Sequence, residues 1–212
     1  ASDKSEEMKI GKNILWVGTM NEDETTKALS DKVVDRSTLL TFPRPTTLVS
    51  RNSDVEISPR ERYLPKSVWE KWCHNTLDEA NVKGLINIEE YRGIVELINE
   101  QMSKLNRNLG HRVWQSIERY VFSHPLVVDS KSSKTRFKEE FDSAFAEAVA
   151  FKIMPKLRGL EVSGETKKVL DNIENIIAKD IPLLVEDYKH AMGLSSKIFQ
   201  WSSAMFMDEK GE

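Results

Sequence analysis

The chain has 212 residues, of which 39% are hydrophobic, and this length supports one compact core or one large and one small unit. Its 31 basic and 34 acidic side chains give a formal net charge of −3, which argues against a non-specific nucleic-acid surface. The single cysteine, Cys73, excludes a disulfide within the chain and a cysteine-based metal site. No apolar stretch approaches the roughly 20 residues that span a bilayer, and residues 1–9 are too polar for a signal peptide, so we expect a soluble cytoplasmic protein.

The N-terminal part, residues 1–42, has the pattern of a strand, a helix and a second strand. The continuous apolar run at 14–20 predicts a strand buried on both faces, as in a parallel sheet. A polar loop and a short helix are expected over 21–36, followed by a second strand at 38–42 that stops at Pro43. Two such strands are too few for an independent parallel sheet, so this part is expected to pair with something larger.

The rest of the chain is predicted to be a linker followed by helices only. Residues 43–65 carry four prolines and form the predicted linker. Residues 66–212 are predicted to form a helical bundle, which begins with a capping box of Ser67 and Glu70. Apolar residues at helical spacing predict further helices over 88–106, from near Gly110, around 137–148, and around 170–177 and 183–192. The predicted fold class is therefore mainly α, with a short strand–helix–strand piece in front.

Three short elements in residues 18–36 carry a family resemblance. They are G-T-M-N at 18–21, D-E-T-T at 23–26 and V-D-R at 34–36. In this order they resemble the segment between the fourth and fifth core strands of McrB-like AAA+ NTPases, although Val34 replaces the leucine expected there. The resemblance implies that Asn21 is the sensor 1 residue and that Arg36 is the arginine finger.

Two later stretches extend the resemblance to about residues 14–160. The L-G-H-R sequence at 109–112 is similar to the sensor 2 element of AAA+ lid domains, which makes Arg112 the expected nucleotide-binding residue of the lid. Residues 151–159 look like a K-I-L-P-K-x-x-G stretch late in the same lid. The implied roles agree with general chemistry, since an amide can orient an attacking water and an arginine can offset charge on a transferring phosphoryl group.

The sequence contains no G-x-x-x-x-G-K-[ST] phosphate-binding loop and no Walker B strand ahead of Asn21. Under the resemblance, both elements are expected upstream of residue 1, so this chain alone is expected to be inactive and to bind no cofactor. The full-length parent would use ATP or GTP with Mg²⁺ in a ring of its own subunits, expected to be a hexamer. A McrC-like nuclease subunit and DNA, reached through a domain outside this chain, are the further expected partners, and no membrane is expected.

Simpler structural roles remain open for each candidate. Asn21 could be a turn residue after a strand, Arg36 a cation placed favourably at a helix C-terminus, and Arg112 a surface arginine. The acidic run at 22–24 has the character of a solvated first helical turn, and the four histidines show no ligand spacing, so no metal site is predicted. The alternative for the whole chain is a free-standing α-helical protein-interaction domain without catalytic activity.

Overall fold

The computed structural model describes residues 11, 14–20, 29–34, 36–40, 63–74, 77, 82, 84–193 and 197–201. Within them the protein is mainly helical, as predicted. The α-helices are α1 (Asp31–Val34), α2 (Lys66–His74), α3 (Ile88–Ser103), α4 (His111–Ser123), α5 (Pro125–Asp129), α6 (Lys134–Lys152), α7 (Gly164–Asp180) and α8 (Val185–Gly193). Two 3-10 turns, Met154–Leu157 and Pro182–Leu184, follow α6 and α7. None of the helices in these residues is both long and apolar enough to cross a bilayer.

Helix α6 is the centre of the fold, and its sequence explains why. Its buried positions lie on more than one face of the helix. They include aromatic residues such as Phe137 and Phe141 and four alanines at 144, 146, 148 and 150. A helix that is apolar on more than one side is typical of the middle of a core, and the alanines allow close approach of its neighbours. Helices α4 and α5 both pack against it.

The second layer consists of α3 and α7, which pack against each other. Asn87 caps the N-terminus of α3, and its side chain accepts a hydrogen bond of 3.3 Å from the Glu89 amide. The Tyr91 ring on α3 meets two rings of α6 edge-on. Its centroid lies 4.8 Å from that of Phe141 and 5.0 Å from that of Phe145, so this ring ties α3 to α6.

The residues after α8 return to the core. Phe199 and Trp201 are 0% and 2% exposed, and the Trp201 indole donates a 3.0 Å hydrogen bond to the Ala150 carbonyl of α6. An isolated antiparallel bridge pairs Glu161 with Ile198 beside them. This C-terminal segment therefore closes the helical domain, a role that its sequence pattern did not indicate.

Neither predicted strand forms in the residues that the structure describes. Residues 14–20 and 38–40 have no regular secondary structure, and Trp16 and Val17 are 83% and 88% exposed. A strand bonds to a neighbouring strand rather than to itself, and the described part of the chain provides none next to these residues. Residues 41 and 42 of the second predicted strand lie outside the described residues, as do residues 43–62 of the predicted linker.

The helix predicted to have Ser67 as its N-cap begins earlier in the structure. Helix α2 begins at Lys66, and the Pro65 carbonyl accepts hydrogen bonds from the amides of Val68 and Trp69. Ser67 is thus inside the first turn rather than at the N-cap position. Proline fits the residue before a helix because its missing amide hydrogen costs nothing there.

Candidate functional site

The segment around Arg36 is held against the helical domain at two points. Helix α1 lies against the 3-10 turn Met154–Leu157, and Val34 at the end of α1 is only 7% exposed. Three residues later, the Ser37 carbonyl accepts a 2.6 Å hydrogen bond from the Lys152 ammonium group. The segment around Arg36 therefore contacts the stretch 151–159, which is the third part of the family resemblance.

Arg36 itself lies between these two points and is exposed. Its amide donates a 3.1 Å hydrogen bond to the Val33 carbonyl, so its backbone continues the turn that ends α1. In the described part of the chain its guanidinium group makes no hydrogen bond or ion pair. Val34 and Ser37 are thus held against the helical domain, and the cationic side chain of Arg36 is accessible to another molecule.

Arg112 is the second residue of α4, and it is also exposed. The loop before it is ordered by Asn99, whose side-chain oxygen accepts a 2.7 Å hydrogen bond from the Leu109 amide. Gly110 occupies the N-cap position without a side-chain cap, and the first turn of α4 has no acidic residue. Because a helix N-terminus is itself partly positive, an arginine there suits an anion rather than the helix.

The structure does not bring all three candidates into one described site. Asn21 lies outside the described residues, so its position relative to Arg36 stays a prediction. Arg36 and Arg112 both carry exposed guanidinium groups, and no contact between them is described.

A groove that the sequence did not predict lies between α3, α6 and the turn Pro182–Leu184. It has a volume of about 1180 Å³. Its apolar floor includes Ile94, Leu97, Phe145 and Leu183. Six carboxylates and two ammonium groups surround this floor: Glu90, Glu96, Glu100, Glu139, Asp142 and Asp180, with Lys138 and Lys179.

Tyr91 connects the floor of this groove to its rim. Its hydroxyl donates a 2.5 Å hydrogen bond to Asp142 Oδ1, and Lys138 Nζ lies 2.7 Å from Asp142 Oδ2. Burial, followed by the hydrogen bond to Asp142, raises the pKa of Tyr91 well above its ordinary value. Tyr91 therefore stays protonated and acts as a donor that holds α3 to α6, rather than as a base.

A second polar cluster lies where α4, α5 and α6 meet. The Tyr120 hydroxyl donates a 2.8 Å hydrogen bond to Glu147 Oε2, and His124 Nε2 lies 3.4 Å from the same oxygen. Burial and Glu147 together raise the pKa of Tyr120 well above its ordinary value. These three side chains form a half-buried network that joins the helices, in which the buried His124 Nδ1 has no hydrogen-bond partner among the described residues. Among the described residues, no group of three or more histidine, cysteine, aspartate or glutamate side chains could hold a metal ion.

Comparison with known proteins gives one family. The family model described as "Domain of unknown function (DUF8727)" matches residues 67–199, which is the helical part of the chain from α2 to the C-terminal segment. No match was found among curated proteins. No match was found among solved structures either.

Proposed function

The chain belongs to the DUF8727 family, and we propose that it is the C-terminal portion of a McrB-like AAA+ NTPase motor. In this proposal residues 14–40 belong to the α/β core of the motor, and the helical domain is its lid. The motor couples nucleotide hydrolysis to DNA restriction, and this chain supplies the sensor and arginine-finger residues. The parent protein binds ATP or GTP with Mg²⁺ and works as a ring of its own subunits with a McrC-like nuclease.

The presentation of Arg36 is the observation that carries the proposal. Val34 is buried and the Ser37 carbonyl is bound by Lys152, so described residues before and after Arg36 are held against the helical domain. The guanidinium group is exposed between these points. An arginine that must reach a nucleotide held by a neighbouring subunit needs a backbone that is held in place and a guanidinium group that is accessible.

The exposure of residues 14–20 supports the same proposal. Leu15, Trp16 and Val17 are 72%, 83% and 88% exposed, although their sequence favours a buried strand. Exposed apolar clusters of this kind mark surfaces that another element covers. In the proposed motor, the remaining strands of the α/β core pair with this segment and place Asn21 at the end of a strand.

Arg112 has a role in the same subunit under this proposal. A lid arginine at an uncapped helix N-terminus can contact the terminal phosphate of a nucleotide bound in its own core domain. Replacing it with alanine should weaken the binding or turnover of a nucleoside triphosphate more than the binding of a diphosphate. Equal loss for both nucleotides would assign Arg112 a structural role.

The direct test is Arg36→Ala in the full-length protein. We expect nucleotide hydrolysis to fall by about 10³–10⁵-fold, the range that arginine fingers contribute elsewhere, while nucleotide binding is largely kept. Arg119→Ala is the matched control, because Arg119 is another exposed arginine on the helical domain. If Arg36→Ala is as active as the control, the sensor and finger assignments fail together.

A free-standing helical interaction domain is the second candidate function. It treats the helical part as a unit of its own, the part that the family model covers at residues 67–199 without residues 14–40. Under this function, Arg36→Ala and Arg112→Ala would leave every nucleotide-dependent activity of the full-length protein unchanged. The gene would then also encode no phosphate-binding loop ahead of residue 14.

A further inference from the structure

We infer that the groove between α3, α6 and the turn Pro182–Leu184 binds a basic amphipathic helix of a partner protein. Arg36 and Arg112 do not line this groove, and its role does not depend on the proposed NTPase function. Three features of the groove identify the occupant: an apolar floor, an unbalanced acidic rim and a glycine in the middle of α3.

The floor of the groove is apolar and open. Leu97 on α3 is 46% exposed and Leu183 in the 3-10 turn is 50% exposed, and both line the same groove. The volume of about 1180 Å³ exceeds the roughly 300–1,000 Å³ of ordinary small-molecule pockets. Helix α3 has 16 residues and is therefore about 24 Å long, which gives a second helix of several turns a surface to lie on.

The rim selects a cationic partner. Lys138 is already paired with Asp142 at 2.7 Å, and Lys179 lies 3.8 Å from Asp180. Glu96, Glu100 and Glu139 line the groove without a hydrogen bond or ion pair in the described part of the chain. Lysine and arginine side chains flanking an apolar stripe would complement these three carboxylates. The same charge repels nucleic acid and anionic membrane surfaces.

Gly93 provides room for close approach. It lies in the interior of α3 and lines the groove, and its backbone does not have the positive φ that would require glycine. A Cβ added there would meet no neighbouring atom within 4 Å. Glycine lowers the stability of a helix interior relative to alanine, so nothing within the described fold accounts for it. A helix packed across the groove does account for it, because the missing side chain lets the two backbones approach.

The binding test uses the full chain and a designed peptide. The probe is a fluorescent helix of about 16 residues, the length of α3, with leucines on one face and lysines on the others. A twin peptide with glutamates in place of the lysines and a scrambled peptide of the same composition are the peptide controls. We expect the amphipathic basic peptide to bind at least about tenfold more tightly than either control, which corresponds to about 1.4 kcal/mol.

Variants of the chain then locate the binding. Glu96→Lys with Glu100→Lys should weaken binding of the basic peptide by at least about tenfold and strengthen binding of the acidic twin. The matched control is Asp129→Lys with Glu161→Lys, which makes the same change in net charge at exposed acids outside the groove. The control should stay within about twofold of the wild type.

A steric variant separates binding from folding. Gly93→Leu places a side chain in the groove and replaces a residue that weakens the helix, so the fold should be kept while binding of the basic peptide is lost. Equal binding to the wild type and to Gly93→Leu would overturn the inference. An equal loss in the charge-reversal variant and in its control would also overturn it, as would dimerisation of the chain through this face.

Discussion

Two apolar parts of the chain differ in their burial. Residues 14–20 form a continuous apolar run, yet they have no regular structure and are exposed throughout. Helix α6 is less continuous in its apolar character, yet ten of its residues are buried, including Phe141 at 0% exposure. The difference is that a helix satisfies its own backbone hydrogen bonds, whereas a strand needs a neighbour. Apolar sequence alone therefore does not decide burial.

The comparison is tested most strongly by removing one large side chain from each part. Phe141→Ala should lower the free energy of unfolding by about 3–5 kcal/mol, because the ring is buried against Tyr91 and the vacated space cannot fully collapse. Trp16→Ala removes a larger ring that is 83% exposed, and the change should stay within about 0.5 kcal/mol. Urea unfolding of both variants measures the contrast. A comparable loss for Trp16→Ala would show that residues 14–20 pack in solution.

High pH should act on the helical domain through its buried tyrosines. The raised pKa of Tyr91 means that the folded protein keeps this proton above pH 10, while the unfolded chain loses it. Stability from this group is therefore complete below about pH 10 and falls at higher pH, by about 1.4 kcal/mol per pH unit.

Tyr91→Phe should make this decline less steep by the same amount. Urea unfolding between pH 9 and about pH 11.5 measures the two slopes, and below pH 10 the variant and the wild type should run parallel. Identical slopes above pH 10 would mean that the phenol is not held protonated by burial and Asp142.

Two glycine substitutions should change the free energy of unfolding in opposite directions. Gly93→Ala should raise the free energy of unfolding by roughly 0.5–1 kcal/mol, since Gly93 is in a helix interior with open space around it. Gly159→Ala should instead lower it by about 1–2 kcal/mol, because Gly159 has a φ of +77°, which L-residues with a side chain avoid. Thermal or urea unfolding of both variants measures the signs. Destabilisation by Gly93→Ala would mean that α3 is packed there by residues outside the described part.

The helices could be predicted because their signal is local. Tyr91, Val95, Ile98 and Met102 recur at helical spacing, and all four are buried on one face of α3. Helix α5 and the return of the C-terminal segment could not be predicted in this way, because Pro125–Asp129 is too short for a period and Trp201 is buried by residues far away in sequence.

The candidate sites also differ in how far the sequence predicts them. Short motifs indicate Arg36 and Arg112, but such motifs do not show that the two side chains are exposed. The groove joins α3, α6 and the turn after α7, which are separated by tens of residues. Its only local sign is the glycine inside α3, and a single glycine in a helical pattern does not by itself indicate a binding surface.

Complementation in mixed rings tests the proposed function most directly. Arg36→Ala in the full-length protein is mixed with a variant that lacks the lysine of the expected phosphate-binding loop, each variant being inactive alone. We predict that the mixture recovers part of the hydrolysis rate, because some interfaces then combine an intact Arg36 with an intact phosphate-binding loop on the neighbouring subunit. A mixture that stays inactive, although mixed rings form by native mass spectrometry, would contradict the assignment of Arg36 as a residue acting between subunits.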